Sequence, residues 1–175
     1  MNLEELRLDC ARKQKKGLHF ILASIIIWSA IFIIHLTSLP ILTKNLLTFC
    51  LAAPLMPLAF LVSKIIKVDF QNKGNPLNDL GIFFTANQLL YLLIAMWIYP
   101  TVPDKMLMVI AIIFGAHLLP YGWLYKSRSY IVFAIAVPIL SLIVGLNFAP
   151  YKLAGLMIVL EVLFSFSLVV ENKKL

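Results

Sequence analysis

The sequence predicts an all-α fold: an integral membrane bundle of six transmembrane helices, both termini cytoplasmic, with a short interfacial helix at the N-terminus. Three observations lead there. The chain of 175 residues is 62% hydrophobic and 13% charged, where soluble domains sit near half apolar and a quarter charged. Its mean hydropathy of +0.95 goes the same way. Its apolar runs are long enough to cross hydrocarbon, which takes about 20 residues at ~1.5 Å rise to cover ~30 Å. Finally, lysine and arginine alternate between successive connections, as an even number of spans requires.

The runs fall at about 18–39, 45–63, 79–99, 104–125, 130–147 and 151–170, between a basic segment 1–17 and a tail 171–175. Twelve of the fifteen basic residues lie in the N-terminal segment, the second and fourth connections and the tail. The remaining three, Lys44, Lys105 and Lys152, lie on the other side. By the positive-inside rule the basic side is cytoplasmic. The net charge of +7 flanks apolar spans, which points to topology and anionic lipid and away from nucleic acid. Cys10 and Cys50 fall on opposite sides of this topology, so no disulfide is expected. The first apolar run continues without a small-residue cleavage site, as a retained helix does.

In chain order, Asn2 and Glu5 have the spacing of a capping box. Leu3, Leu6 and Cys10 share a helical face, and Arg12, Lys13, Lys15 and Lys16 follow. This is either a short helix on the membrane surface, its basic cluster facing anionic lipids, or a solvated tail that only sets orientation. His19 and His35 lie at the two edges of span one and are expected to reach the headgroups. Span two contains Pro54 and Pro57, which leave the carbonyls of Cys50 and Ala53 without helical donors. The result is a kink or a break lining a cavity. Gly74, Asn75 and Pro76 mark a turn in the longest connection. Asn87 and Gln88 stand together at the centre of span three, with Tyr91 one turn later. Pro103 and Asp104 open span four. In that span Ala111, Gly115 and Gly122 would let a neighbouring helix approach closely, and Pro120 frees the carbonyl of Ala116. Span five carries Pro138. Span six has Glu161 at its midpoint, on a stripe with Ala154, Ile158 and Ser165.

Glu161, His117, Asn87 and Gln88 all lie within about two turns of the midplane, and Tyr121 follows His117 by one turn. A charge at that depth costs at least ~2.5 kcal/mol, so these groups should face the bundle interior. By depth, His117 is the first candidate partner for Glu161 and the amides are next. The five residues form the candidate polar centre. It would serve proton-coupled transport, hold a small solute by hydrogen bonds, or simply fix helix packing. No metal-ligand set, paired acids or serine with a spaced base occurs, so no enzymatic activity, metal or cofactor is expected. Prolines in spans two and five and polar centres in spans three and six hint at an inverted repeat, without residue-level identity between the halves.

The N-terminal run NLEELRLDCARKQKKGLHF and the stretch GAHLLPYGWLY resemble a family of small bacterial multi-pass membrane proteins of unknown function. The resemblance covers most of the chain. It implies a bacterial inner-membrane protein and supplies no activity. The function expected is binding or translocation of a small solute or proton through the polar centre. The alternative is a structural or regulatory membrane subunit without transport activity.

Overall fold

The computed structural model describes residues 2–175, with Leu89 by its backbone alone. Helix α1 spans Leu3–Lys13 and starts on the expected capping box. The Asn2 side chain accepts from the Glu5 amide at 2.9 Å, and the Glu5 carboxylate accepts from the Asn2 amide at 2.8 Å. Glu4 and Glu5 in its first turn and Arg12 and Lys13 in its last complement the helix dipole. The chain then turns sharply. Lys15, Lys16 and Gly17 all take left-handed backbone angles, with φ of 44°, 51° and 69°. That region suits glycine and strains the two lysines. The strain is held by two contacts. The Tyr130 hydroxyl donates to the Lys16 carbonyl at 2.9 Å, and the Asn172 amide donates to the Lys15 carbonyl at 3.0 Å.

After this corner come α2 (Leu18–Leu36), α3 (Ile41–Ala52), α4 (Leu55–Ile65) and α5 (Leu77–Thr101). They are followed by α6 (Met106–Ala116), α7 (Leu119–Leu124), α8 (Arg128–Asn147) and α9 (Pro150–Asn172). Among the described residues five stretches are long and apolar enough to cross a membrane, or six if α3 and α4, bent by 44°, form one span. The second apolar run is therefore interrupted. Pro54 and Pro57 remove two donors within one turn, and the helix restarts at Leu55. Helix α8 loses only one bond to Pro138 and stays continuous, so the two halves differ at their prolines. Span four breaks at His117–Leu118, where Pro120 leaves the Ala116 carbonyl without its helical partner and α7 begins.

The tightest pairings are α2 with α9 and α6 with α8. Small residues explain the second. A Cβ on Gly115 would lie 2.5 Å from Pro138 and 2.7 Å from Val137, and one on Gly145 would lie 2.4 Å from Met108. Trp28, Ile31, Met106, Leu107, Val137 and Met157 fill the space between the four helices. Helix α5 packs along one face on α6 and α7, and most of its residues are exposed.

The basic segments gather at one end of the bundle. Helix α1 packs across that end, with Cys10 and Ala11 fully buried. Its Arg7 guanidinium donates to the Trp123 carbonyl at the end of α7. The connection 66–76 folds over α1. Asn75 donates to the Leu6 carbonyl at 2.8 Å and to Asp9 at 2.9 Å, and Asn72 donates to Asp9 at 3.2 Å. At the opposite end Asn45 donates to the Pro103 carbonyl and Lys105 to the carbonyls of Gly145 and Leu146.

This packing changes the expectation for the edge histidines. Both are buried and do not reach the surface. Phe70 of the connection folds onto His19, ring centroids 5.4 Å apart. The ring of His35 is covered by α3, where Thr48 lies 3.3 Å from Nε2. The cause is tertiary in each case, since residues distant in sequence cover what a lone helix would expose.

Candidate functional site

The five candidate residues separate into three places. Glu161 lies on the buried face of α9 that packs on α2, and is 1% exposed. Its partner is Ser24 of α2, whose hydroxyl donates to the carboxylate at 2.6 Å. Ser24 is also within bonding distance of its own helix at Ile21. Glu161 Oε1 and the hydroxyl of Ser165, one turn further along α9, are buried and have no hydrogen-bond partner among the described residues. The expected pairing with His117 or the amides is not formed. Helix α9 lies against α2 more extensively than against α6, so its polar face meets Ser24.

His117 caps the end of α6 at the break in span four. Its Nδ1 lies against the Phe114 carbonyl, an arrangement that places the ring proton on Nδ1 and leaves Nε2 as an acceptor. No group among the described residues bonds Nε2. His117, Tyr121 and Tyr125 recur every four residues and so share one face across the break. Their rings run in sequence, with His117–Tyr121 centroids 5.9 Å apart and Tyr121–Tyr125 stacked at 6.0 Å. Tyr130 of α8 closes the cluster at 5.7 Å from Tyr125.

These rings line a cavity of about 60 Å³, completed by Phe20, Thr85, Gln88 and Phe114. A second cavity of about 240 Å³ adjoins it through Phe20, Met56, Thr85, Tyr121 and Tyr125 and reaches toward Gln14 and Asn78. No charged side chain lines either one. The tyrosine hydroxyls are already committed. Tyr121 donates to the Gly81 carbonyl at 3.0 Å and meets Thr85 at 2.7 Å. Tyr125 donates to Gln14 at 2.9 Å, and Tyr130 to the Lys16 carbonyl. The Gln88 side chain has no hydrogen-bond partner among the described residues. The cavity thus presents aromatic walls, one free imidazole nitrogen and one free amide.

Asn87 points elsewhere. Adjacent helical residues are turned about 100° apart, so Gln88 meets the cavity while Asn87 is exposed and donates to Tyr91 at 3.0 Å. Adjacency in sequence had grouped the two amides, and helical geometry separates them.

A polar centre not anticipated from the sequence sits at the basic end. The Glu171 carboxylate accepts from the Lys16 ammonium at 2.7 Å, the Ser127 hydroxyl at 2.7 Å, the Ser129 amide at 2.8 Å and the Ser129 hydroxyl at 2.7 Å. It ties the α1–α2 corner to the start of α8 and the end of α9. The basic cluster is therefore largely engaged by the protein itself. Lys13 pairs with Asp9 at 2.8 Å, Lys15 donates to the Ile66 carbonyl at 2.6 Å, and Lys16 is buried against Glu171, while Arg12 is exposed. The Lys13 ammonium, seconded by the amides of Asn75 and Asn72, holds the Asp9 carboxyl below the usual carboxylate range. Tyr125 and Tyr130 were also missed as site residues. The four-residue spacing of His117, Tyr121 and Tyr125 was the available signal, whereas Tyr130 joins from another helix and left none.

The sequence profile of a family of unknown function, DUF7010, matches residues 3–171. No curated protein and no solved structure matches the chain.

Proposed function

The chain belongs to the DUF7010 family, and we propose that it is a multi-pass protein of the bacterial cell membrane that binds a small uncharged solute in the two adjoining aromatic cavities beside His117, which together offer about 300 Å³. Orientation follows from charge. The segments carrying twelve of the fifteen basic residues are the N-terminus, the 64–76 region, the α7–α8 turn with the first residue of α8, and the C-terminus, and these take up the cytoplasmic side. A reporter fused at the C-terminus is expected inside and one at Lys152 outside; the reverse result rejects the orientation.

One observation carries the solute reading. His117 and Gln88 both line the smaller cavity, and neither the Nε2 of His117 nor the Gln88 amide has a hydrogen-bond partner among the described residues, so both are available to a ligand. Aromatic walls with a few convergent polar groups are the usual make-up of a small-molecule site. The absence of charge on the walls favours a neutral ligand, an uncharged ring compound with a donor for Nε2 and an acceptor for the Gln88 amide. No enzymatic role is proposed. Purified protein in lipid nanodiscs, probed with indole and phenol by saturation-transfer NMR, should bind at least one of them. Gln88→Leu and His117→Leu should each weaken that binding about tenfold, the scale of one good buried hydrogen bond. Equal binding by wild type and both variants would remove the cavity as the site.

A structural role is favoured for Glu161. Ser24 engages it, and it lies between helices, outside the cavity lining. Glu161→Gln should therefore leave solute binding intact, and vesicles carrying it should show the same proton flux as wild type. Loss of a proton flux in that variant would restore Glu161 as a proton carrier.

A further inference from the structure

Helix α5 carries polar groups on two faces. Thr85 and Gln88 line the cavity. Asn87 and Tyr91 lie on the outer face and are bonded to each other. Asn87 is two residues from the middle of the 25-residue helix, about 3 Å along its axis. Its outer neighbours on the same face are large and apolar: Phe83, Leu90 and Ile94 are 70%, 64% and 49% exposed. On the membrane reading above, from which this inference proceeds, that places a carboxamide and a phenol at mid-depth facing away from the bundle. Lipid offers neither group a hydrogen bond, and polar side chains at that depth normally face protein.

We propose that a second copy of this chain covers this face, α5 against α5 about a two-fold axis beside Asn87. The chemistry selects a second copy. The Asn87 amide spends one N–H on Tyr91, so Asn87 keeps a carbonyl acceptor and one N–H, and Tyr91 keeps its O–H. This set has donors and an acceptor in one patch, so the patch is complementary to itself when related by a two-fold axis. No charge on the outer face needs an oppositely charged partner, because Leu80 to Thr101 contains no acidic or basic residue. A single asparagine at the centre of an apolar seam also specifies pairing register in helical dimers. The contact would back the helix whose inner side forms the cavity wall.

Disulfide trapping in native membranes tests the proposal. In a Cys50→Ser background, which removes the exposed native cysteine, Ile94→Cys should cross-link to a dimer on mild oxidation. Leu93→Cys should not. It is 62% exposed, but it points about 120° away from the Asn87 face. Adding Asn87→Leu to Ile94→Cys should raise the dimer dissociation constant in micelles by about 3- to 30-fold, the range of membrane interhelical hydrogen bonds. Asn87→Gln should restore most of the loss. Cross-linking equal at residues 93 and 94, or a monomer at every concentration, overturns the proposal. Capture of the Ile94→Cys chain only by a different protein overturns it too. Carbonate extraction of the same membranes keeps the two readings apart, since an extraction-resistant chain that does not cross-link is a membrane protein without this dimer.

Discussion

Glu171→Ala offers the most direct measure of how this fold is held. The carboxylate accepts from four donors, one of them the Lys16 ammonium at 2.7 Å. The Lys16 side chain is 6% exposed and that of Glu171 is 21% exposed. Removing one partner of a buried ion pair costs about 3–5 kcal/mol, because the other charge remains buried and unpaired. Water reaches part of Glu171, which places the expected loss near the lower end, at about 3 kcal/mol. Glu171→Gln keeps one acceptor oxygen but turns an NH2 donor toward two of the four donors and leaves the Lys16 ammonium without its counter-charge, so it should cost nearly as much as Glu171→Ala. In a Lys16→Met background no ammonium is left stranded, and Glu171→Ala should then cost only about 1–2 kcal/mol for the serine contacts. The assay is equilibrium unfolding in mixed micelles followed by fluorescence of Trp28, Trp97 and Trp123. A Glu171→Ala protein within about 0.5 kcal/mol of wild type, or equal losses in both backgrounds, would refute the idea that this carboxylate clamps the α1–α2 corner.

Two further outcomes follow from the packing and from the charges outside the spans. Gly115→Ala should destabilise by about 1–3 kcal/mol, because the new methyl meets the ring of Pro138 and the branched Val137; the same substitution at Gly145 meets the Cβ and Cγ of Met108, close to its backbone, and should cost a similar amount. A loss below about 0.5 kcal/mol for either variant in micelle unfolding would contradict the close α6–α8 packing. The Asp9 carboxyl titrates below its ordinary range because Lys13 pairs with it, so its charged form stabilises the docked 66–76 connection above the unfolded aspartate value of about 4 and that stabilisation disappears as pH falls through the depressed folded value. Protection of the Asn72 and Asn75 amides, measured as hydrogen exchange relative to the intrinsic rate at each pH, should fall below about pH 4 in wild type and already be low near neutral pH in Asp9→Ala; unchanged protection in the variant would show that the connection is held by other contacts.

Local rules recovered a good deal of this protein. The capping box at Asn2 and Glu5, the apolar helices, the break at Pro54 and Pro57 and the burial of Glu161 each depend on one residue and its immediate neighbours. So does the division of the basic segments, since charge placement is written along the chain. What sequence distance hides was not recovered. Glu161 was matched to His117 by depth alone, but depth is one coordinate, and the rotation of α9 against α2 supplied Ser24. Asn87 and Gln88 were grouped because they are adjacent, although a helix turns neighbours onto different faces. His19 and His35 looked exposed because separate elements cover them, Phe70 of the distant 66–76 connection over His19 and the following helix α3 over His35.

The same reason separates the two levels throughout. Composition, periodicity and charge order are properties of short windows, and they determined that this chain is a set of apolar helices with a basic end. Which faces those helices present to one another depends on packing, where small residues such as Gly115 and Gly145 admit close approach and bulky ones prevent it. Only the tertiary structure therefore decided that Glu171 joins Lys16, Ser127 and Ser129, and that His117 shares a cavity with tyrosines from two helices. Helical periodicity alone could not have chosen between those partners, because the choice is made by rigid-body placement of whole helices.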